Sequence, residues 1–435
     1  MKIRGFKAVF IMLIILVMMS VFVMGTMIAL PVLKKSKVEL AKENISKIDK
    51  SYASESLSQT SAKTTSSVST NSIDSNALTR NYEIKSEQSW DVSKNQDGSV
   101  IAKFTLSDKT LRISGSGEMK DWKDNNKCDW HDSQYTEIIN NVIIENGITS
   151  IGECAFKGCS SIEIIEIPSS VTSIGWNAFK ECSSLVSVEI PSSVTSIDSS
   201  AFSGCSSLTK IEIPSSVTSI DSSAFSGCSS LTKIEIPSSV TSIGWNAFYG
   251  CSSLISINVN KGNNNYVSEE GVLFNKNKTE LIKYPCKKQG TKEYSIPSSV
   301  TSIGENAFEG CSSLERIEIP SSVTSISFKE CRSLVSIEIP SSVTSIGQYA
   351  FYGCSSLERI EIPSSVTSIG QYAFYGCSSL ERIEIPSSVT SIGWNVFSRC
   401  SSLVSVEIPS SVTSIDENTF SGCTSLTNIE LPSSV

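Results

Sequence analysis

Histidine is almost absent from this sequence, since His131 is the one histidine in 435 residues. This scarcity argues against histidine-based zinc sites and against serine–histidine–aspartate catalysis, because both need imidazole groups. Basic clusters are also missing, and the net charge is −8 with 18% charged residues. An acidic chain without a basic stripe argues against nucleic-acid binding. No catalytic motif is visible, so the sequence predicts neither an enzyme nor a cofactor.

Cysteine is missing from the N-terminal part of the chain, because the first one is Cys128. Lipid attachment to an N-terminal cysteine is therefore excluded. Residues 8–33 contain no charge and are flanked on both sides by lysine or arginine. A run of about 20 apolar residues can cross a bilayer as a helix. Residues 1–37 are predicted to be a transmembrane anchor or, alternatively, a long signal segment cleaved after Gly25. If the segment is a transmembrane anchor, the protein is expected at the cell surface. If the segment is a cleaved signal, the protein is expected to be secreted.

Aromatic residues are nearly absent from the next stretch. The segment 51–75 holds 14 serine or threonine residues out of 25, with Tyr52 as its single aromatic residue. Such a composition cannot bury enough apolar surface to order itself. Residues 38–87 are therefore predicted to be a disordered stalk, either glycosylated or a plain linker.

A 23-residue unit repeats along most of the remaining chain, starting at Ile139. In the copy at 208–230, apolar residues occupy positions 1, 4, 6, 10, 13, 17, 18 and 21. This spacing fits neither a long helix nor a long strand. A fixed period of this length predicts a solenoid, in which each coil buries its apolar side chains against its neighbours.

The residue types within one unit predict three structural segments. Positions 1–6 read Leu-x-x-Ile-x-Ile and alternate like a short strand, and the proline at position 7 ends it. Val217 to Ile220 forms a second extended segment on the opposite wall. Ala224 to Cys228 reads as one tight helical turn closed by Gly227. The predicted fold class is therefore α/β, with short strands and short extended or helical segments.

The unit carries the blocks Ile-Pro-Ser-Ser-Val-Thr-Ser-Ile and Ala-Phe-x-Gly-Cys-Ser-Ser-Leu. With these blocks it resembles the BspA-like leucine-rich repeats of bacterial surface proteins, over about two-thirds of the chain. The resemblance implies a leucine-rich repeat solenoid whose strands line the concave side. It also implies adhesion to a host or bacterial protein. A structural spacer and a self-associating surface scaffold are the alternatives.

The pattern divides the ordered part of the chain into two regions. Residues 88–138 are predicted to be a β-rich N-terminal cap, because a solenoid end needs its apolar surface covered. The solenoid is predicted over 139–435, with an irregular hairpin coil at 254–290. A coil of 20 residues starts at Leu314. Its segment 326–328 lacks the usual Gly-x-x-Ala, so the side of the coil opposite the strands should be pinched there. Three tryptophans of the cap pack against the first coil or form a carbohydrate platform: Trp90, Trp122 and Trp130.

Position 21 of the unit forms a column of cysteines. Neighbouring coils lie ~5 Å apart, within the Cα separation of roughly 4.4–6.8 Å that a disulfide tolerates. All these side chains point inward in parallel, so bonding would require them to turn along the stack. The sequence therefore predicts small buried residues with reduced thiols. The column is Cys159, Cys182, Cys205, Cys228, Cys251, Cys311, Cys331, Cys354, Cys377, Cys400 and Cys423.

Charged residues recur on the strand side of the unit, with glutamate at position 5 and lysine or arginine at position 3. This exposed side of the strands is called the strand face below. It is either a solvated, charge-balanced surface, a ligand surface or a weak site for a divalent cation. The candidate binding residues here are Glu318, Glu361, Glu384, Arg316, Arg359 and Arg382.

Position 15 lies on the opposite side of the coil and varies between tryptophan and small polar residues, which predicts exposure. Exposed aromatic side chains either mark partner contacts or are scattered surface residues. The candidates are Trp176, Trp245 and Trp394. The predicted partner is a host or bacterial surface protein, with self-association as a further candidate, and the membrane is predicted to be contacted through the N-terminal segment alone.

Overall fold

The computed structural model describes residues 84–123, 128–130, 135–288 and 290–433. The predicted anchor over 1–37 and the stalk up to residue 83 lie outside these residues. No helix within the described ranges is long and apolar enough to span a membrane.

Each coil contributes a first short strand at positions 3 to 6 of the unit. Neighbouring first strands pair in parallel, and identical positions face each other across the pair, as Ile211 and Val188 do. These strands form the strand face. They are Asn141–Ile144, Ile164–Glu166, Ser187–Glu189, Lys210–Glu212, Lys233–Ile236, Ser256–Val259, Glu293–Ser295, Arg316–Glu318, Ser336–Glu338, Arg359–Glu361, Arg382–Glu384, Ser405–Glu407 and Asn428–Glu430.

A second strand follows the proline and the Ser-Ser turn, and it also pairs in parallel from coil to coil. These second strands are Ile148–Ile151, Ser173–Ile174, Ser196–Ile197, Ser219–Ile220, Ser242–Ile243, Ser302–Ile303, Ser345–Ile346, Ser368–Ile369 and Ser391–Ile392. The 20-residue coil has no second strand, so this ladder is interrupted between Ser302–Ile303 and Ser345–Ile346.

The chain enters the solenoid through an antiparallel sheet of Glu87–Asp91, Val100–Thr105 and Thr110–Gly115. The last of these strands pairs in parallel with Asn141–Ile144 and so extends the strand face, while the short strand Gly117–Glu118 extends the second ladder. Trp130 is fully buried, and its ring stacks 5.5 Å from that of Phe156 in the first coil. Burial excludes Trp122 and Trp130 from a carbohydrate platform.

The core is built from columns of identical side chains. Phenylalanines at position 18 stack from coil to coil with ring centroids 5.3 to 6.0 Å apart. The cysteine column lies beside them, and nine of its eleven thiols donate to the phenylalanine carbonyl of the preceding coil, as Cys205 Sγ does to Phe179 O at 3.1 Å. Cysteine therefore fits this column because it is small and still satisfies a buried carbonyl.

The wall formed by positions 14 to 21, called the outer wall below, differs from the predicted helical turn. Within one coil Ala224 N–H donates to Asp221 O at 3.2 Å, which is a turn. The alternate N–H groups point along the stack instead, and Phe225 N–H donates to Ala247 O of the next coil at 2.9 Å. The described residues contain no helix, so the α/β class is not confirmed.

Backbone conformation explains this difference. Ser223 at position 16 and Gly227 at position 20 have φ angles of 58° and 74°. A right-handed helix cannot contain two left-handed residues within five positions. The same two positions are left-handed in nearly every coil, so the outer wall is a ladder of turns throughout.

The coil after Leu254 is irregular, and its outer wall is reduced to a segment around Tyr284, whose N–H donates to Ala307 O at 3.0 Å and whose ring stacks on that of Phe308 at 5.2 Å. Three strands form its hairpins, Tyr266–Glu269, Val272–Asn275 and Glu280–Lys283, and the last pairs in parallel with Ser302–Ile303. The buried apolar residues form two clusters that meet at this coil.

Replacing Gly393 by alanine is expected to destabilise its coil by about 2 kcal/mol, because overpacking forces the backbone to shift. A Cβ atom there would lie 2.6 Å from Gln371 N of the preceding coil. Asp221 occupies the same position in another coil, so Asp221→Ala is the matched control and should change little. Hydrogen exchange of the amides around each site measures both effects, and equal losses of protection would contradict the expectation.

Candidate functional site

The strand face presents arginine and glutamate side chains in straight rows. In Arg359–Glu361 the central Ile360 is buried while the two charged residues are exposed. The register aligns Arg359 with Arg382 and Glu361 with Glu384. Alternation within each strand and parallel pairing between strands therefore place like charges one coil apart.

Pairing within a coil offsets the repulsion along each row. Arg382 and Glu384 form an ion pair with 3.4 Å between nitrogen and oxygen, although their side chains are 74% and 84% exposed. Exposed pairs of this kind contribute about 0–1 kcal/mol. Since so little energy holds them together, both groups can exchange this ion pair for contacts with other charged or polar groups.

The rows line an open depression of about 1020 Å³ that extends over four successive coils. The structure thus brings all six charged candidates to one place. Glu338 and Ser336 line the same depression and were not singled out by sequence; the glutamate column itself was the signal for Glu338. The charged residues that line the depression are Arg316, Glu318, Glu338, Arg359, Glu361, Arg382 and Glu384. In the described part of the chain, no group of three or more acidic, cysteine or histidine residues could hold a metal ion.

The three candidate tryptophans are not brought together. Trp245 and Trp394 are 63% and 43% exposed, and they lie in separate coils of the outer wall. Trp176 is half-buried and packs against the core. Each tryptophan therefore has its own surroundings.

A cluster of aromatic rings on the outer wall could not be recognised from single positions. The Tyr349 and Tyr372 rings stack at 5.3 Å, and those of Tyr352 and Tyr375 stack at 4.9 Å. Trp394 packs edge-on against Tyr372 at 4.7 Å. The signal was the exact duplication of residues 348–370 as 371–393, which places the same two tyrosines one coil apart.

Three thiols of the buried cysteine column are not candidates for nucleophilic chemistry. Burial raises the pKa of Cys205, Cys251 and Cys354 to about 12. A thiol is reactive as the thiolate, so these groups stay protonated and inert near neutral pH.

Stacked coils with leucine at position 1, a parallel strand ladder and a polar strand face define a leucine-rich repeat solenoid. The chain belongs to the BspA-type leucine-rich repeat family. The family model described as BspA type leucine rich repeat region matches it in six copies, over residues 133–255, 172–289, 279–327 and 325–435. A comparison with curated proteins finds no match.

Solved structures of bacterial proteins are similar to this one. A leucine-rich repeat protein of Eubacterium ventriosum is 30% identical, covers 81% of this chain and 92% of its own, and has a TM-score of 0.69. A leucine rich cell surface protein of Faecalibacterium prausnitzii is 32% identical, with 77% and 93% covered and a TM-score of 0.55. The pneumococcal vaccine antigen PcpA shares the fold at 24% identity, with 77% and 87% covered and a TM-score of 0.54.

Proposed function

We propose that this chain is a non-enzymatic surface protein that binds another protein through its strand face. One observation carries the proposal: seven charged side chains from four successive coils stand in register along one open depression. Each coil adds a weak contact, so a repetitive or extended partner gains strength from many of them. The predicted partner is a protein on a host or bacterial surface.

The proposal includes the placement of the chain outside the cell. Residues 1–37 would hold it in the membrane or direct its export. The segment 38–87 would act as a stalk that ends where Glu87 begins the first strand, and 88–138 would cap the solenoid at 139–435. The similarity to a leucine rich cell surface protein at 32% identity supports this placement.

Charge reversal of Glu318, Glu361 and Glu384 to lysine together is expected to weaken binding at least about tenfold, while single changes do little. Raised salt should weaken binding too, because exposed charges are screened. Surface plasmon resonance against purified matrix proteins, and against the chain itself, measures both effects. Self-binding without any other ligand would favour the scaffold alternative, and no binding at all would favour the spacer.

The matched control reverses three glutamates at the same position of coils outside the depression, Glu166, Glu189 and Glu235, which are exposed as well. It should bind normally. If both triple variants lose binding equally, the depression is not the site. If changing the candidate tryptophans of the outer wall to serine abolishes binding while the first triple variant binds normally, the outer wall is the site.

A further inference from the structure

The outer wall has a gap where the irregular coil follows a regular one. In regular coils the N–H groups of positions 16, 18 and 20 donate to carbonyls of the next outer wall, as in Ser223 to Trp245 and Gly227 to Tyr249. The coil starting at Leu231 is followed by the hairpin coil, whose reduced wall around Tyr284 accepts none of these bonds within the described residues. The N–H groups of Asn246 and Phe248 therefore have no hydrogen-bond partner among the described residues.

A cavity of about 280 Å³ opens beside these two donors, and it is called the notch below. One side is the outer wall from Gly244 to Tyr249, and the other side includes Gly304 to Asn306. Asn306 Nδ2 donates to Asn246 Oδ1 at 2.8 Å across the gap. This bond fixes the distance between the two sides, so the notch is held open in one geometry.

The interior of the notch offers hydrogen-bond donors. Phe248 is 3% exposed, so its unpaired N–H is buried, and a buried unpaired N–H is costly unless an acceptor reaches it. Lys283 is 4% exposed, lines the notch and donates from Nζ to Asn306 O at 2.9 Å. An ammonium group has three hydrogens, so two remain for another acceptor.

The rim offers different chemistry. Trp245 lines the notch and is 63% exposed, which leaves its flat indole ring accessible. Glu280 and Glu305 line it as well, are exposed, and form no ion pair within the described part of the chain. A matching ligand must accept hydrogen bonds inside, donate them to carboxylates at the rim, and place an apolar face on the indole.

We propose that the notch binds a single pyranose ring, such as the terminal sugar of a glycan. A sugar ring carries hydroxyl groups that both donate and accept, and its C–H face packs on an aromatic ring. The cavity is slightly smaller than the range of about 300–1,000 Å³ for drug-sized ligands, which suits one ring. A cationic ligand fits less well, because Lys283 repels it and Lys329 Nζ already lies 5.6 Å from the ring centroid of Tyr249.

The test is saturation-transfer difference NMR of the full chain with methyl glycosides of glucose, galactose, mannose, fucose and N-acetylglucosamine. At least one glycoside is expected to bind, and Trp245→Ala should reduce its affinity at least about tenfold. Glu280→Gln should weaken it as well. Trp394→Ala is the matched control, because Trp394 has the same position in its coil and is exposed, but a regular outer wall follows it. It should change the affinity less than about twofold.

Binding of none of the glycosides at millimolar concentration would overturn the proposal, and so would equal losses in the Trp245 and Trp394 variants. Binding of tetramethylammonium in place of every sugar would also overturn it. The variant with Glu318, Glu361 and Glu384 reversed should bind the sugar normally, because these residues lie on the strand face. Failure of the strand-face proposal and failure of the sugar proposal can therefore be told apart.

Discussion

Replacing Ile211 by aspartate is expected to unfold the coil around it and to leave distant coils folded. Ile211 is 3% exposed and is the inward residue of Lys210–Glu212. A carboxylate there would be buried without a partner, which costs several kcal/mol even if the group takes up a proton. Coils contact only their neighbours, so the loss should stay local instead of spreading through the stack.

Hydrogen exchange read peptide by peptide measures this effect. Protection should fall within the coil of Ile211 and the two beside it, and it should persist around Arg382–Glu384. Thr209→Asp is the control, because it adds the same charge at an exposed position two residues away. An Ile211→Asp variant with unchanged melting and unchanged exchange would show that this column is not the core.

The second large effect is expected at alkaline pH. Burial raises the pKa of Cys205 to about 12 from an ordinary value of 9.0. The folded state thus keeps its proton at a pH where the unfolded chain releases it. The stability from this thiol is fully present below pH 9 and is lost as the pH rises towards 12. Burial raises the pKa in the same direction at Cys182, Cys205, Cys228, Cys251, Cys311, Cys331, Cys354, Cys377, Cys400 and Cys423.

At pH 10 each fully buried thiol should cost about 1.4 kcal/mol, since that pH is about one unit above the ordinary pKa. Chemical unfolding at pH 8 and pH 10 measures the loss. The control is the double variant Cys205→Ser and Cys228→Ser, whose hydroxyl groups can still donate to the phenylalanine carbonyls and do not ionise in this range. In this variant, the backbone amides of these two coils should lose less protection from hydrogen exchange between pH 8 and pH 10 than the same amides lose in the parent chain. Equal losses would show that the thiols do not cause the alkaline instability.

The repeat period made the strand face predictable. Ile-Glu-Ile or Val-Glu-Ile followed by proline recurs in most coils, so the exposed glutamates and the buried isoleucines could be placed by position alone. The outer wall was predicted wrongly as a helical turn, because its shape depends on a left-handed residue at position 16. Serine, asparagine, tyrosine and, in the first coil, cysteine occupy that position, and tyrosine and cysteine give no sign of such a backbone.

The notch also could not be predicted from the sequence. The hairpin coil at 254–290 could be recognised as irregular, but its effect on the walls beside it could not. The gap depends on contacts between residues far apart in the chain, such as Asn246 with Asn306, and a repeat pattern gives no information on them.

The outer wall has an electrostatic consequence. The carbonyl of position 15 and the N–H of position 16 belong to one peptide group, and the same holds for 17 with 18 and for 19 with 20. Each such group accepts from the preceding coil and donates to the following one. In the coils before the hairpin coil, three chains of peptide dipoles, about 3.5 D each, thus run head to tail, as they do inside an α-helix. Their positive ends lie at the N–H groups of Asn246, Phe248 and Gly250, so the solenoid carries the equivalent of a helix N-terminus in the middle of its wall.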